Sequence, residues 1–372
     1  MKISRTGLVT ALLVCAATRM AWAGDESKHY VLPASPENVQ WGWYDVHEKP
    51  KLTVRSGDTV SIETLSHSLG QIKPGVEMDE IVRLRKQNAG GGPHSITGPI
   101  YVEGAEPGDT LEVHILRIVP KEFGFNFNLP GKDFPTVGLL AKDFPEGFVR
   151  YYKLDLAKMQ TEFKPGIVID LKPFPGTFAV GVDPNEPAAK AGPPIHDDKG
   201  RTSTLRPWKN GSNMDVNELG VGATLYFPVF QQGGLIWTGD SHCRQGNGEV
   251  NLTALECAYK EIEIRPVVRK DLKTEWPWAE TKTDWVFMGF DEDLNEAMKI
   301  AVGQTVQWLA SQSIVPMSRE EAYALTAMVG DCRVSQVVDI RKGVHCLIPK
   351  SVFVGLRGKP GKAVAARAAA SP

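Results

Sequence analysis

The sequence predicts a mainly β protein, a β-sandwich carrying a smaller C-terminal α+β lobe. Three observations carry this expectation. Short segments in which apolar and polar residues alternate recur between residues 50 and 268, the pattern of half-buried strands. The chain of 372 residues holds 36 Gly and 26 Pro, enough to separate many short strands by turns. Apolar residues at helical spacing appear only late, from Asp291 onward.

Taken in order, residues 51–55 and 59–64 read as two strands around the turn Ser56-Gly57-Asp58. Residues 100–102 and 110–115 repeat that grammar around 105–109. Residues 120–147, rich in Phe, Gly, Pro and Asn, read as a long ordered loop. Strands resume at 167–171 and 176–182. Residues 184–211 read as an exposed Pro/Gly/charged excursion, and further strands are expected at 223–229, 235–238, 249–255 and 258–268. Between Asp291 and Gln312, the residues Leu294, Met298, Ala301, Val302 and Leu309 share one helical face. Ser318-Arg319-Glu320-Glu321 is a capping box, in which serine and glutamate satisfy each other's free amides. The helix it opens is expected to end at Val329, with Gly330 as terminator. A strand at 333–339 follows. The expected organisation is a sandwich core over 24–285, an α+β lobe over 286–357 and a disordered Lys/Ala/Pro-rich tail over 358–372.

Residues 1–23 read as a signal peptide. Lys2 and Arg5 precede an apolar run at 7–17, and Ala21-Trp22-Ala23 supplies the small-x-small pattern that leaves Gly24 as the new N-terminus. An uncleaved anchor is the alternative; a lipoprotein at Cys15 is disfavoured by the bulky Val14. No other stretch approaches the roughly 20 apolar residues a membrane helix needs, so the expected product is periplasmic or secreted, with no stable membrane insertion after cleavage. A formal net charge of −2 offers no basic footprint and argues against nucleic acid as a partner. Of the cysteines, Cys243, Cys257, Cys332 and Cys346 lie beyond the signal. Export permits pairing, but the spacing fixes no partners, and the expectation is buried thiols, with two disulfides as the alternative.

The densest polar cluster is Gly239-Asp240-Ser241-His242-Cys243-Arg244-Gln245-Gly246-Asn247-Gly248-Glu249. Asp240 and His242 are two apart, which on an extended backbone points both to one side. A carboxylate and an imidazole so placed make half of a hydrolytic metal site. Gly246 and Gly248 free the backbone to return Glu249 toward the pair. Asn213 and Asp215 repeat the two-residue spacing, although taken alone the segment reads better as an Asx turn joining two strands. His94 follows the glycine-rich 90–92 turn, at a position from which an imidazole can face a cleft. Glu256, seven beyond Glu249, falls on the opposite face of a regular strand, so either a bulge intervenes or the two glutamates do different work. His67 and His114 read as structural, for want of a nearby acidic partner. No Gly-x-Ser-x-Gly elbow is present, which leaves a metal-activated water as the hydrolytic chemistry these residues best support.

Three motifs together resemble the acetamidase/formamidase family. They are 93–99 (Pro-His-Ser-Ile-Thr-Gly-Pro) running into 102–109 (Val-Glu-Gly-Ala-Glu-Pro-Gly-Asp); Asn213-Met214-Asp215; and Gly239-Asp240-x-His242-x-x-Gln245-Gly246-x-Gly248-Glu249 with Glu256. Residues 322–325 and 331–339 are similar to the family's C-terminal lobe, and the resemblance spans roughly 40–355. It implies a β-sandwich, hydrolysis of formamide, acetamide or related small amides and lactams, homo-oligomers, and a cleft formed by His94, Asn213, Asp215, Asp240, His242 and Glu249. Asn247 departs from the family's frequent Gly-Asp-Gly-Glu, which bears on metal preference or substrate.

The chemistry expected from this is hydrolysis assisted by a divalent metal. Zinc suits His94, Asp215, Asp240 and His242 as ligands; oxygen-only ligation would favour calcium instead. Glu249, or failing that Glu256, is expected as general base, and Asn213 or Gln245 as donor to the carbonyl oxygen. The rival expectation is a non-catalytic periplasmic protein that holds a small ligand or calcium in the same cleft.

Overall fold

The computed structural model describes residues 27–354 apart from residue 314; the expected signal peptide and the tail over 358–372 lie outside the described residues. Alternation along the strands produces two nine-stranded sheets that pack face to face. One sheet runs His29–Leu32, Thr59–Ile62, Tyr259–Arg269, Thr110–Pro120, Thr224–Pro228, Trp278–Glu280, Asp284–Asp291, Lys342–Pro349, Asp331–Gln336. The other runs Gly211–Asn213, Phe174–Ala179, Ile236–Arg244, Leu255–Cys257, Phe123–Asn128, Phe148–Lys153, and Ser95–Glu103 joins it beside Ile236–Arg244. Between them lies a core including Ile62, Val102, Val113, Phe178, Phe227 and Ile264, all buried. Each such side chain stabilises the fold by about 1.5–3 kcal/mol relative to exposure.

The turn at 56–58 does not close a hairpin. Leu52–Arg55 pairs in parallel with Ser95–Glu103, whereas Thr59–Ile62 belongs to the opposite sheet. The turn therefore crosses between layers, held by the Asp58 carboxylate, which accepts from the backbone N–H groups of Arg55 and Lys28 at 2.9 and 2.8 Å.

The C-terminal part contains helices Leu294–Ser311 and Arg319–Val329, the second opened by the expected Ser318/Glu321 capping box. Gly330 closes it for a different reason from the one expected. Its φ of −71° is ordinary, but a Cβ there would lie 2.5 Å from the Thr326 carbonyl oxygen. The boundary expected at 285/286 falls inside the strand Asp284–Asp291, so the lobe extends the core's own sheet.

Several expectations are corrected. The loop expected over 120–147 contains the strand Phe123–Asn128. The strand expected over 249–255 is mostly irregular: Glu249 and Leu252 have φ of 45° and 119°, and only Leu255–Cys257 pairs. The excursion at 184–211 turns inward at its end, where Thr202–Ser203 pairs with Trp43–Tyr44 and is buried. Helical structure is not confined to the C-terminal part, because Met78–Gln87 is an α-helix burying Ile81 and Leu84 against Phe125, Phe127 and Leu129. The cysteines are paired as Cys243–Cys257 and Cys332–Cys346 rather than free. Each bridge links adjacent antiparallel strands.

Candidate active site and metal centre

The site is built on the strand Ile236–Arg244 and its neighbours. Side chains alternate there: Ser241 turns away to hydrogen-bond Thr64 at 2.7 Å, while Asp240 and His242 meet on the other side, with His242 Nε2 3.4 Å from Asp240 Oδ2. Asp240 does this from a left-handed backbone, φ 46°. Glu256 stands directly across from His242 in the strand register, with its Oε1 3.3 Å from His242 Nε2. The disulfide Cys243–Cys257 joins the residues immediately following those two.

Glu249 reaches the same point by another route. Gly248, with φ 104°, and Glu249 itself break the strand, and Glu249 Oε1 comes within 3.9 Å of His242 Nε2. Because the segment is not a regular strand, Glu249 and Glu256 converge instead of facing opposite ways. Asp215 Oδ1 lies 3.8 Å from His242 Nδ1.

His67 belongs to this cluster, contrary to the structural role expected of it. Its Nε2 is 2.8 Å from Asp240 Oδ1 and 3.3 Å from Glu256 Oε2. The chain brings it there from 173 residues away, a separation that local spacing could not reveal. His114 lies elsewhere, with Nε2 2.8 Å from Glu112, so it too has an acidic partner, but on the outer part of a strand away from the cavity.

Two ring orientations follow from hydrogen-bond accounting. Thr204 Oγ1 spends its single proton on the Gly91 carbonyl at 3.0 Å, so at 2.8 Å from His94 Nδ1 it can only accept. His94 therefore carries Nδ1–H and presents the Nε2 lone pair, 3.9 Å from Asp240 Oδ2. Gln245 Nε2 donates to the carbonyls of Asp215 and Ser335 at 2.9 and 3.0 Å. Its Oε1 must then accept from His242 Nδ1 at 2.9 Å. That leaves His242 Nε2 buried, with no hydrogen-bond partner and facing carboxylates. Such a nitrogen either holds a proton or gives its lone pair to a cation.

The electrostatics have the same cause. Burial pushes His94 down to about 4, keeping it neutral. Burial also opposes protonation of His67 and His242, but Glu256 and Asp240 outweigh it, raising His67 to about 9 and His242 well above the ordinary imidazole value. Asp240, although buried, is held well below the usual carboxylate range by His94 and His242. Burial raises Asp215 to about 7 and, with the Asp215 charge beside it, raises Glu249 and Asp339 well above theirs.

The donor set fits a metal ion. His67/His94/Asp240, Asp215/His242/Glu249 and Asp240/His242/Glu256 each place ligand atoms within 4.8 Å of one another. Asp215 Oδ1 and Oδ2, Glu256 Oε2 and His242 Nε2 are buried without hydrogen-bond partners. Gly176 completes the cradle: a Cβ there would lie 2.6 Å from Asp215 Oδ1, 2.6 Å from His242 Cε1 and 2.8 Å from Asp240 Oδ2. Asn213, whose Oδ1 accepts from Thr177 at 2.8 Å, lines the adjoining cavity of about 400 Å³ with His67, His94, Asp240, Glu249 and Glu256. Gln245 does not reach that cavity; its amide is fully committed behind His242.

A sequence model described as the acetamidase/formamidase family matches residues 41–191 and 182–354. The chain belongs to the acetamidase/formamidase family. It is 30% identical over 243 residues to the acetamidase of Mycolicibacterium smegmatis, covering 54% of this chain and 58% of that one. It is 27% identical over 258 residues to the formamidase of Methylophilus methylotrophus, covering 57% and 60%. The chain thus spans less than two thirds of the length of these two relatives. The solved acetamidase of Yersinia enterocolitica is similar over 89% of this chain and 95% of that one, at 25% identity and a TM-score of 0.75. The mainly β architecture and the family resemblance are both upheld.

Proposed function

We propose that this chain hydrolyses small carboxamides to a carboxylate and ammonia, with a divalent ion, zinc by its mixed imidazole and carboxylate donors, held by His94, Asp240 and His242 with Asp215. The observation that carries this reading is the pair of fixed tautomers. His94 and His242 each keep their proton on Nδ1, toward Thr204 and Gln245, and turn Nε2 to the carboxylates lining one cavity. Two imidazoles among the donors weigh against calcium, which takes oxygen ligands, and so against the non-catalytic calcium-binding alternative.

A divalent ion in this cluster supplies Lewis acidity, lowering the pKa of water and polarising the amide carbonyl. Glu249 lines the cavity and reaches within 3.9 Å of His242 Nε2, placed to take the water proton and pass it to the departing amine. Asn213 donates from its amide to the oxygen on which charge develops. Gln245 acts through His242 as a positioning residue. His67 offsets the charge of Asp240 and Glu256 on the far side.

Glu249→Gln tests the assignment, since it keeps the shape and removes the base. The expected result is a loss of rate of about 10²–10⁴-fold with metal content and melting temperature unchanged. Metal loss accompanying the rate loss would make Glu249 a ligand. Activity within a few-fold with metal retained would pass the role to Glu256.

Export is supported by the two disulfides, which persist in oxidising compartments. Among the described residues no helix is long and apolar enough to cross a membrane. Self-association is supported by exposed Leu139, Leu140, Phe144 and Phe148 on neighbouring segments.

A further inference from the structure

Arg85 projects from the helix Met78–Gln87 into the lining of the cavity that His94 and Asp240 also line. Its Nη1 is shielded from solvent with no hydrogen-bond partner. Among the described residues its guanidinium forms no ion pair. Arg341, which is buried, shows the ordinary solution: it pairs with Glu186 and stacks on Trp208 at 4.2 Å. A shielded, unpaired guanidinium is costly, and burial pushes Arg85 down to about 10 against the opposing pull of Asp339. It is close enough to His94 for its charge to be felt there. Asp339 lines the same cavity and its charge is felt at Arg85, but the two form no ion pair.

The cavity itself, of about 400 Å³, is walled by Ile81, Phe127, Leu129, Val137 and Leu252. Formamide or acetamide would leave most of it empty. The walls suit methylene groups, the carboxylate and imidazole cluster suits an amide, and the unpaired arginine suits an anion. A planar guanidinium with free N–H groups matches a carboxylate bidentately.

We propose that the cavity takes an amide whose far end carries a carboxylate, a monoamide of a short dicarboxylic acid, and that Arg85 clamps this carboxylate. The proposal rests on the amidase reading above and names its substrate class. Arg85 is then a specificity-determining residue and takes no part in bond cleavage.

The experiment compares glutaramate with pentanamide, which match in chain length and differ in the terminal carboxylate. For the unaltered protein, kcat/KM is expected to favour glutaramate by about tenfold or more, the scale of a charge-assisted hydrogen bond. Arg85→Gln should lower the glutaramate-to-pentanamide ratio about 10–100-fold, chiefly through the KM of glutaramate, and Arg85→Lys should restore part of it. Calorimetric binding of glutarate against pentanoate reads the same contact without turnover and should show the same dependence on Arg85. Equal rates on the two amides, or equal losses for both in Arg85→Gln, would overturn the clamp while leaving the amidase reading standing. Preferential glutarate binding through Arg85 with no ammonia from either amide would uphold the clamp and overturn the amidase reading.

Discussion

Gly176 is the position at which a single methyl group tests the whole site. It lies in the strand Phe174–Ala179, and its carbonyl accepts from the backbone N–H groups of Met214 and Asp215 at 3.1 and 3.2 Å. The strand is also paired on either side of it through Pro175 with Ser241 and Thr177 with Gly239, so its backbone cannot retreat. In Gly176→Ala the new carbon would sit 2.6 Å from both Asp215 Oδ1 and His242 Cε1 and 2.8 Å from Asp240 Oδ2. That is roughly 0.6–0.9 Å inside ordinary contact. The His242 ring has little room to yield, fixed by Gln245 at 2.9 Å and by the edge-on ring of Phe174, 5.2 Å away between centroids. Overpacking of this kind costs about 1–3 kcal/mol. Displacing catalytic groups by about 1 Å costs roughly 10²-fold in rate. The expected outcome is a folded protein, slightly less stable in urea, that loses about 10²-fold or more in amide hydrolysis and holds metal weakly. A Gly176→Ala protein with activity within twofold and full metal occupancy would refute the geometry on which the site is built.

Other perturbations isolate single contacts. Thr204→Val removes the acceptor that fixes His94 and should weaken metal affinity about 10–100-fold in a chelator competition; unchanged affinity would mean that His94 is not a ligand. Replacing Cys243 and Cys257 by alanine opens a bridge of 14-residue separation and should cost about 3 kcal/mol in urea unfolding; an unmoved midpoint would contradict a structural role for the bridge. Glu112, though burial opposes it, is held below the ordinary carboxyl value of 4.5 by His114 and Arg269. Its stabilising contribution is therefore complete above that ordinary value and lost as pH falls through the lower folded-state value. Glu112→Gln should flatten the decline of stability in acid unfolding below about pH 4.5, and an unchanged decline would contradict the assignment.

The legible parts of the chain were those whose signal is local. Alternation located strands such as Tyr259–Arg269 and Thr110–Pro120, and the capping box located the start of Arg319–Val329. Asp240 and His242 could be paired from spacing because alternation along Ile236–Arg244 survives the left-handed backbone of Asp240 itself. The parts that escaped depend on long-range approach. His67 meets Asp240 across 173 positions, and only its arrival beside two carboxylates distinguishes it from a core histidine. Gly176 looks like any strand glycine until Asp215, His242 and Asp240 close around it. Met78–Gln87 is dominated by charged residues and buries only Ile81 and Leu84, too narrow a stripe to announce a helix, so Arg85 was missed with it. The disulfides depend on strand register, which sets Cys332 directly opposite Cys346 and leaves no trace in sequence spacing.

The most direct test of the central claim is ammonia release from acetamide by the purified protein, measured as isolated, after exhaustive chelation, and after adding back one equivalent of zinc. The account predicts release as isolated, near-complete loss on chelation and recovery with zinc, because the proposed reaction depends on a cation held among buried His, Asp and Glu side chains that could ligate one. Full release after chelation, with metal absent by elemental analysis, would contradict it.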